Sequence, residues 1–255
     1  MRGLAEKVVV VTGASRGIGA ACAKRFCDEG AAVVCVANEE SVEDRAVELR
    51  DGGGQAVAVV ADISTAAGNR AAIEAARDSF GGLDVLLANA AVQRMGGLEG
   101  LDEAGLRELY ATNVAGPYLG AKLAVPMLRE RSGGAIIFTS SVLGIVGDGD
   151  MPGYGATKGA LRALCRSIAT AHGPENIRCN TICPGDVETP MSKEFFDYQP
   201  DPEAARREIT DRYPLRRFAA PEEIAAAAAF LASDDAAFIS GVDLIVDGGL
   251  LARVY

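Results

Sequence analysis

The chain has 255 residues and is 49% hydrophobic, enough for a sizeable core in one large domain or two small ones. Its net charge of −10, with no block of Lys or Arg, gives no electrostatic footprint for nucleic acid, and no apolar run reaches the length of a membrane span. Met1 to Lys7 carries no apolar signal region, so the expected compartment is the cytoplasm. None of the six cysteines sits in a Cys-x-x-Cys pair and there is one histidine, so neither a metal site nor a disulfide framework is expected. His172, before Gly173-Pro174, reads as the last turn of a helix, near its negative dipole end.

In chain order, Lys7 to Val11 is a β-branched run expected to form a strand buried on both faces. Thr12-Gly13-Ala14-Ser15-Arg16-Gly17-Ile18-Gly19 follows, then a helix to about Glu29. Strand, glycine-rich turn and helix together predict a dinucleotide-binding unit with the pyrophosphate on the helix N-terminus. The alternation continues with strands at Ala32 to Val36, Gln55 to Ala61, Leu83 to Leu87, Ala135 to Thr139, Ile177 to Cys183 and Val242 to Val246. Helices are expected between them, including one long helical region over about 102–131, in which Pro126 would introduce a kink, one over about 153–171, and one over Pro221 to Ala232. This order predicts an α/β, doubly wound parallel sheet of about seven strands with helices on both faces. No linker, repeat or low-complexity stretch divides it, so residues 1–255 are read as one domain. The glycine turn, Asp62, Asn89, Ser141 and Pro184-Gly185 all follow strands, so they should converge on one edge of the sheet.

Ser141 to Lys158 carries a hydroxyl, a phenol and an ammonium in order. With a helix starting near Pro152, Tyr154 and Lys158 share one helix face. An ammonium about 4 Å from a phenol, at an effective dielectric near 20, is worth roughly 4 kcal/mol, or about three pKa units. That would bring Tyr154 into working range for proton transfer to an alcohol or carbonyl oxygen, with Ser141 holding the same oxygen.

These motifs, in order and over nearly the whole chain, resemble the short-chain dehydrogenase/reductase family. The family's Thr-Gly-x-x-x-Gly-x-Gly motif matches residues 12–19, its Asn-Asn-Ala-Gly segment appears altered as Ala88-Asn89-Ala90-Ala91, and its Tyr-x-x-x-Lys motif matches Tyr154 and Lys158. The resemblance implies an NAD(P)-dependent oxidoreductase that interconverts a secondary alcohol and a ketone by hydride transfer. Tyr154 would be the general acid/base. Lys158 would lower its pKa and bond the nicotinamide ribose, Ser141 would hold the substrate oxygen, and Asn113 would anchor a relay water. It implies cofactor contacts at Gly13, Ser15, Arg16, Gly17, Ile18, Gly19, Asn38, Asp62, Ile63, Asn89, Tyr154, Lys158, Pro184, Gly185, Val187 and Thr189. Ser140 reads as a strand-end hydroxyl.

The position that usually holds an NAD-selecting carboxylate, at the end of the second strand, is Ala37. Arg16 would face a 2′-phosphate across the loop, a pattern similar to NADP-dependent ketoacyl reductases, so NADP(H) is favoured over NAD(H). Glu39 and Glu40 count against this if they turn inward. Val142, Leu143 and Gly144 are expected along one wall of the substrate site, with Gln93, Arg94 and Asp186 at its edges. The aromatic-rich stretch 191–214 is expected to form a lid. Rival readings are a non-catalytic dinucleotide-binding sensor, and an epimerase or dehydratase with tightly held cofactor. Family analogy implies a homotetramer through about 102–131, 153–171 and 242–246, with the apolar end Leu250 to Tyr255 docking on a neighbouring subunit.

Overall fold

The computed structural model describes residues 1–252. Seven parallel strands form one sheet in the order β3-β2-β1-β4-β5-β6-β7. They are β1 (Val8–Thr12), β2 (Ala32–Ala37), β3 (Gln55–Val60), β4 (Val85–Ala88), β5 (Gly134–Thr139), β6 (Ile177–Pro184) and β7 (Asp243–Val246). The β1 sequence Val-Val-Val-Val-Thr is buried throughout, as a parallel strand covered on both faces requires. Its side chains alternate: Val9 and Val11 join one core layer, Val8 and Val10 the other.

The first layer is covered by α1 (Gly17–Asp28), α2 (Ser41–Asp51) and α10 (Pro221–Ala232). The second is covered by α3 (Ala66–Phe80), α6 (Gly116–Glu130) and α7 (Pro152–His172). The alanine-rich α10 presents Ala225, Ala228, Ala229 and Ala232 inward, which lets it approach α1 closely. A short turn of helix, α4 (Gly97–Gly100), and α5 (Glu103–Tyr110) precede α6; α8 (Pro190–Asp197) and α9 (Pro202–Thr210) follow β6. The strand order reverses between β1 and β4, so the loops leaving these strands open a crevice at their carboxyl ends.

One element departs from expectation. The region 102–131 is helical from Glu103 to Glu130, but its regular α geometry is interrupted well before Pro126. A π turn, Ala111–Ala115, separates α5 from α6, and α6 runs on through Pro126. Pro117 is the second residue of α6, directly after the π turn, so the N–H it lacks falls where the helical hydrogen-bond register changes. Asn113 sits inside the π turn and is fully buried. Its amide nitrogen donates to Val92 O at 2.9 Å and Thr157 Oγ1 at 3.2 Å, while its Oδ1 accepts from Val92 N at 2.9 Å. These three bonds reward the locally wider helix, a feature found often at functional sites.

No helix among the described residues is long and apolar enough to cross a membrane.

Candidate active site

The glycine turn leaves β1 and runs directly into α1. Gly17 adopts φ +57°, a left-handed conformation that side chains avoid, and Gly19 lies so close that a Cβ would stand 2.0 Å from Gly13 O. The first turn of α1 has no acidic residue and no side-chain cap, so its N–H groups remain for an anion. The backbone can therefore cradle a pyrophosphate, and the residues present fit a dinucleotide. Thr189 closes the opposite side: a Cβ on Gly17 would meet its methyl at 3.2 Å. Thr189 caps α8, accepting from Ser192 N at 3.2 Å.

Asn89 sits at the end of β4. Its N–H donates to Thr12 Oγ1 and its amide donates to Thr12 O, both at 3.0 Å, while its Oδ1 accepts from Thr139 Oγ1 at 3.2 Å. It ties together the ends of β1, β4 and β5. The flanking Ala88, Ala90 and Ala91 leave these bonds intact.

At the end of β2, Ala37 is buried and Asn38 is exposed. Glu39 turns toward the glycine loop, where it accepts a hydrogen bond from Ser15 Oγ and lies 3.8 Å from Arg16 Nε. Arg16 therefore already has an anionic neighbour at the rim where a 2′-phosphate would sit. Asp62 bonds Ser64 through N–H and hydroxyl at 2.9 and 2.8 Å, and Ile63 beside it is buried.

Lys158 is 2% exposed, and its Nζ donates to Thr139 O at 2.8 Å. It lies 5.3 Å from the centre of the Tyr154 ring. Burial pushes the ammonium down to about 8. The Tyr154 phenol moves the other way from the expected direction: burial raises it, and the Asp186 carboxylate adds to the rise. In this state the phenol is a held acid, not a half-ionised base. Ser141 Oγ accepts from Leu143 N at 3.1 Å, which leaves its own proton free to donate. Ser140 turns the other way, donating to Lys158 O at 2.9 Å and pinning α7.

Tyr154, Lys158 and Ser141 share one cleft of about 920 Å³ with the glycine turn. Of the predicted catalytic and cofactor positions, Gly19 and Asn113 do not line it; both lie behind the residues that do. Val142, Leu143, Gln93, Arg94 and Asp186 line its outer part. Gly144 does not. It packs on α7, where a Cβ would meet Lys158 C at 2.8 Å. Tyr213 was not predicted. Its hydroxyl donates to Asp186 Oδ2 at 2.7 Å and accepts Asp186 N–H at 2.7 Å. It lies 27 residues from its partner, and no spacing in the sequence signals such a pair. Among the described residues no cluster is placed to hold a metal.

The fold and this cleft define a class, and comparison with known proteins agrees. Residues 13–251 match the family described as enoyl-(acyl carrier protein) reductase. The chain belongs to the short-chain dehydrogenase/reductase family and is an NAD(P)-dependent oxidoreductase acting between secondary alcohols and ketones. It is 38% identical over 247 residues, 96% of each chain, to 2,5-dichloro-2,5-cyclohexadiene-1,4-diol dehydrogenase LinX of Sphingobium indicum. It is 39% identical over 249 residues, 97% of this chain and 98% of the other, to cis-4-hydroxycyclohexanecarboxylate dehydrogenase of Sinomonas cyclohexanicum. A solved structure from Beutenbergia cavernae, provisionally described as an NAD(P)-dependent gluconate 5-dehydrogenase with bound NADP, matches with TM-score 0.92 and 33% identity over 98% of each chain.

Proposed function

We propose that Tyr154 is the general acid/base of this dehydrogenase, with Ser141 and Lys158 as its partners. The observation that carries the reading is their convergence with the glycine turn in one cleft. The nicotinamide, when bound, supplies or accepts the hydride. Ser141 donates its free hydroxyl proton to the substrate oxygen, and Tyr154 gives up or takes the proton at that same oxygen. Lys158, fixed by Thr139 O, sets the charge beside the phenol and is placed to bond a ribose hydroxyl. Asn113 holds the wall of the site through Val92.

The cofactor reading is NADP(H). Ala37 leaves no carboxylate at the end of β2, and Arg16 stands at the rim. Glu39 is the group a 2′-phosphate has to displace from Arg16. The segment 191–214 acts as a lid, held together by Phe196, Tyr213 and Phe218. Residues 1–255 work as one cytoplasmic domain that assembles as a homotetramer. Exposed apolar side chains support this on α5 and α6 (Leu106, Tyr110, Tyr118) and around β7 (Phe238, Val242, Ile245). The α7 face with exposed Ala156 and Ala163 permits close helix approach. The predicted docking of the chain end falls partly on residues 253–255, outside the described residues. A panel of ketones and alcohols, scored separately with NADPH and NADH, tests the reading. Turnover of none of them would overturn it.

A further inference from the structure

Asp186 follows the Pro184-Gly185 turn at the exit of β6 and lines the cleft with Tyr154. Tyr213 holds it by two bonds of 2.7 Å, one to Oδ2 and one from its own N–H. Those bonds fix the direction of the carboxylate. Oδ1 has no hydrogen-bond partner among the described residues. A carboxylate with one oxygen held and the other open is an acceptor for a hydroxyl. It also stands close enough to Tyr154 to act on the phenol electrostatically.

The charge around it is not arranged to receive an anion. Asp148 and Glu188 add negative potential at Asp186, and Arg212 opposes them. Arg212 is itself bonded by Glu208 at 2.6 Å. At the other edge, Glu108 holds Arg94 through two bonds of 2.9 and 2.8 Å. Both arginines of the outer cleft are thus already engaged, while Asp148 and Glu194 line the same space. A substrate carboxylate placed beside Asp186 would add a like charge in a poorly solvated place.

Resting on the dehydrogenase reading above, we infer that Asp186 is the specificity-determining residue and that it selects neutral substrates bearing a second hydroxyl, such as cyclic diols or sugars, against hydroxy acids. Family membership does not decide this, because the relatives named above include both a diol dehydrogenase and a hydroxycarboxylate dehydrogenase.

The test keeps the ring constant. With each cofactor, kcat/KM is measured for cyclohexane-1,2-, 1,3- and 1,4-diol, cyclohexanol and cis-4-hydroxycyclohexanecarboxylate. In the wild type the best diol should exceed cyclohexanol by roughly ten- to hundredfold, as for one hydrogen bond to a charged group. The carboxylate should be the poorest. Asp186→Ala should bring the diol-to-cyclohexanol ratio close to one. Asp186→Asn, which keeps an acceptor but not the charge, should retain part of that ratio and relieve the penalty on the carboxylate. Ratios within one variant do not depend on how much of it is folded. A wild type that prefers the carboxylate, or a diol ratio that survives Asp186→Ala, overturns the inference. The same compounds are titrated calorimetrically against the enzyme–cofactor complex. If none of the five is turned over, the same ratios are read from the binding affinities, and a carboxylate bound more tightly than the best diol overturns the inference.

Discussion

Lys158 is a cation buried inside the fold, 2% exposed. Its pKa falls from 10.5 to about 8 because it is buried. At about 1.4 kcal/mol per pKa unit, holding it charged costs the cofactor-free protein on the order of 3 kcal/mol. Between pH 8 and 10.5 the unfolded chain keeps this proton and the folded chain does not, so the residue's contribution to stability rises with pH across that window. Lys158→Met should therefore melt higher than wild type at pH 7, with the gap closing as pH approaches 10.5. The buried thiols, such as Cys22 at about 12, are common to both proteins and cancel in the difference. A gap that does not change with pH would mean that burying the charge is not what costs stability.

The pair at the ribose rim makes a second residue-level prediction. Arg16→Ala should weaken NADPH by about 1.5–3 kcal/mol and leave NADH nearly unchanged. Glu39→Gln should tighten NADPH several-fold, because it removes a like charge from the phosphate site and releases Arg16. Fluorescence titration of both cofactors reads this directly. Equal changes in both would remove the pair from cofactor choice. The sequence made Ala37 and Arg16 legible. It left the direction of Glu39 open, because an acidic residue before a helix also satisfies the helix dipole.

Among the elements, the strands and most helices were readable because local pattern and tertiary environment agree. The β-branched runs of β1 and β2 are buried on both faces, and the Pro221–Ala232 helix begins at its proline. The π turn at Ala111–Ala115 was not readable, because its cause lies in Val92 and Thr157, 21 and 44 residues away from Asn113. The same holds for Tyr154. Its spacing to Lys158 was plain, but burial reverses the pKa shift, and the charge that adds to it is Asp186, on the loop after β6. The α8–α9 segment is a separate small cluster in which Phe196 stacks on Phe218 at 5.7 Å, with Arg206 over the Phe218 ring at 4.9 Å. Phe196→Ala should therefore loosen this segment alone. Substrate KM should rise several-fold, and hydrogen exchange should quicken in 190–210 while the sheet is unaffected. Global destabilisation would mean that this cluster is part of the main fold.

For the whole molecule, the sheet ends at β7, and among the described residues Ile245 on that strand and Leu106, Tyr110 and Tyr118 on α5 and α6 are large apolar side chains left exposed. Light scattering at micromolar concentration should give a mass near four times 26.4 kDa. A monomer would contradict the assembly and leave these patches unexplained.

The proposed chemistry rests on one proton. Tyr154→Phe keeps the ring and removes the hydroxyl, so single-turnover hydride transfer should fall by about two to three orders of magnitude while cofactor binding changes little. A variant that turns over at near wild-type rate would contradict the account at its centre.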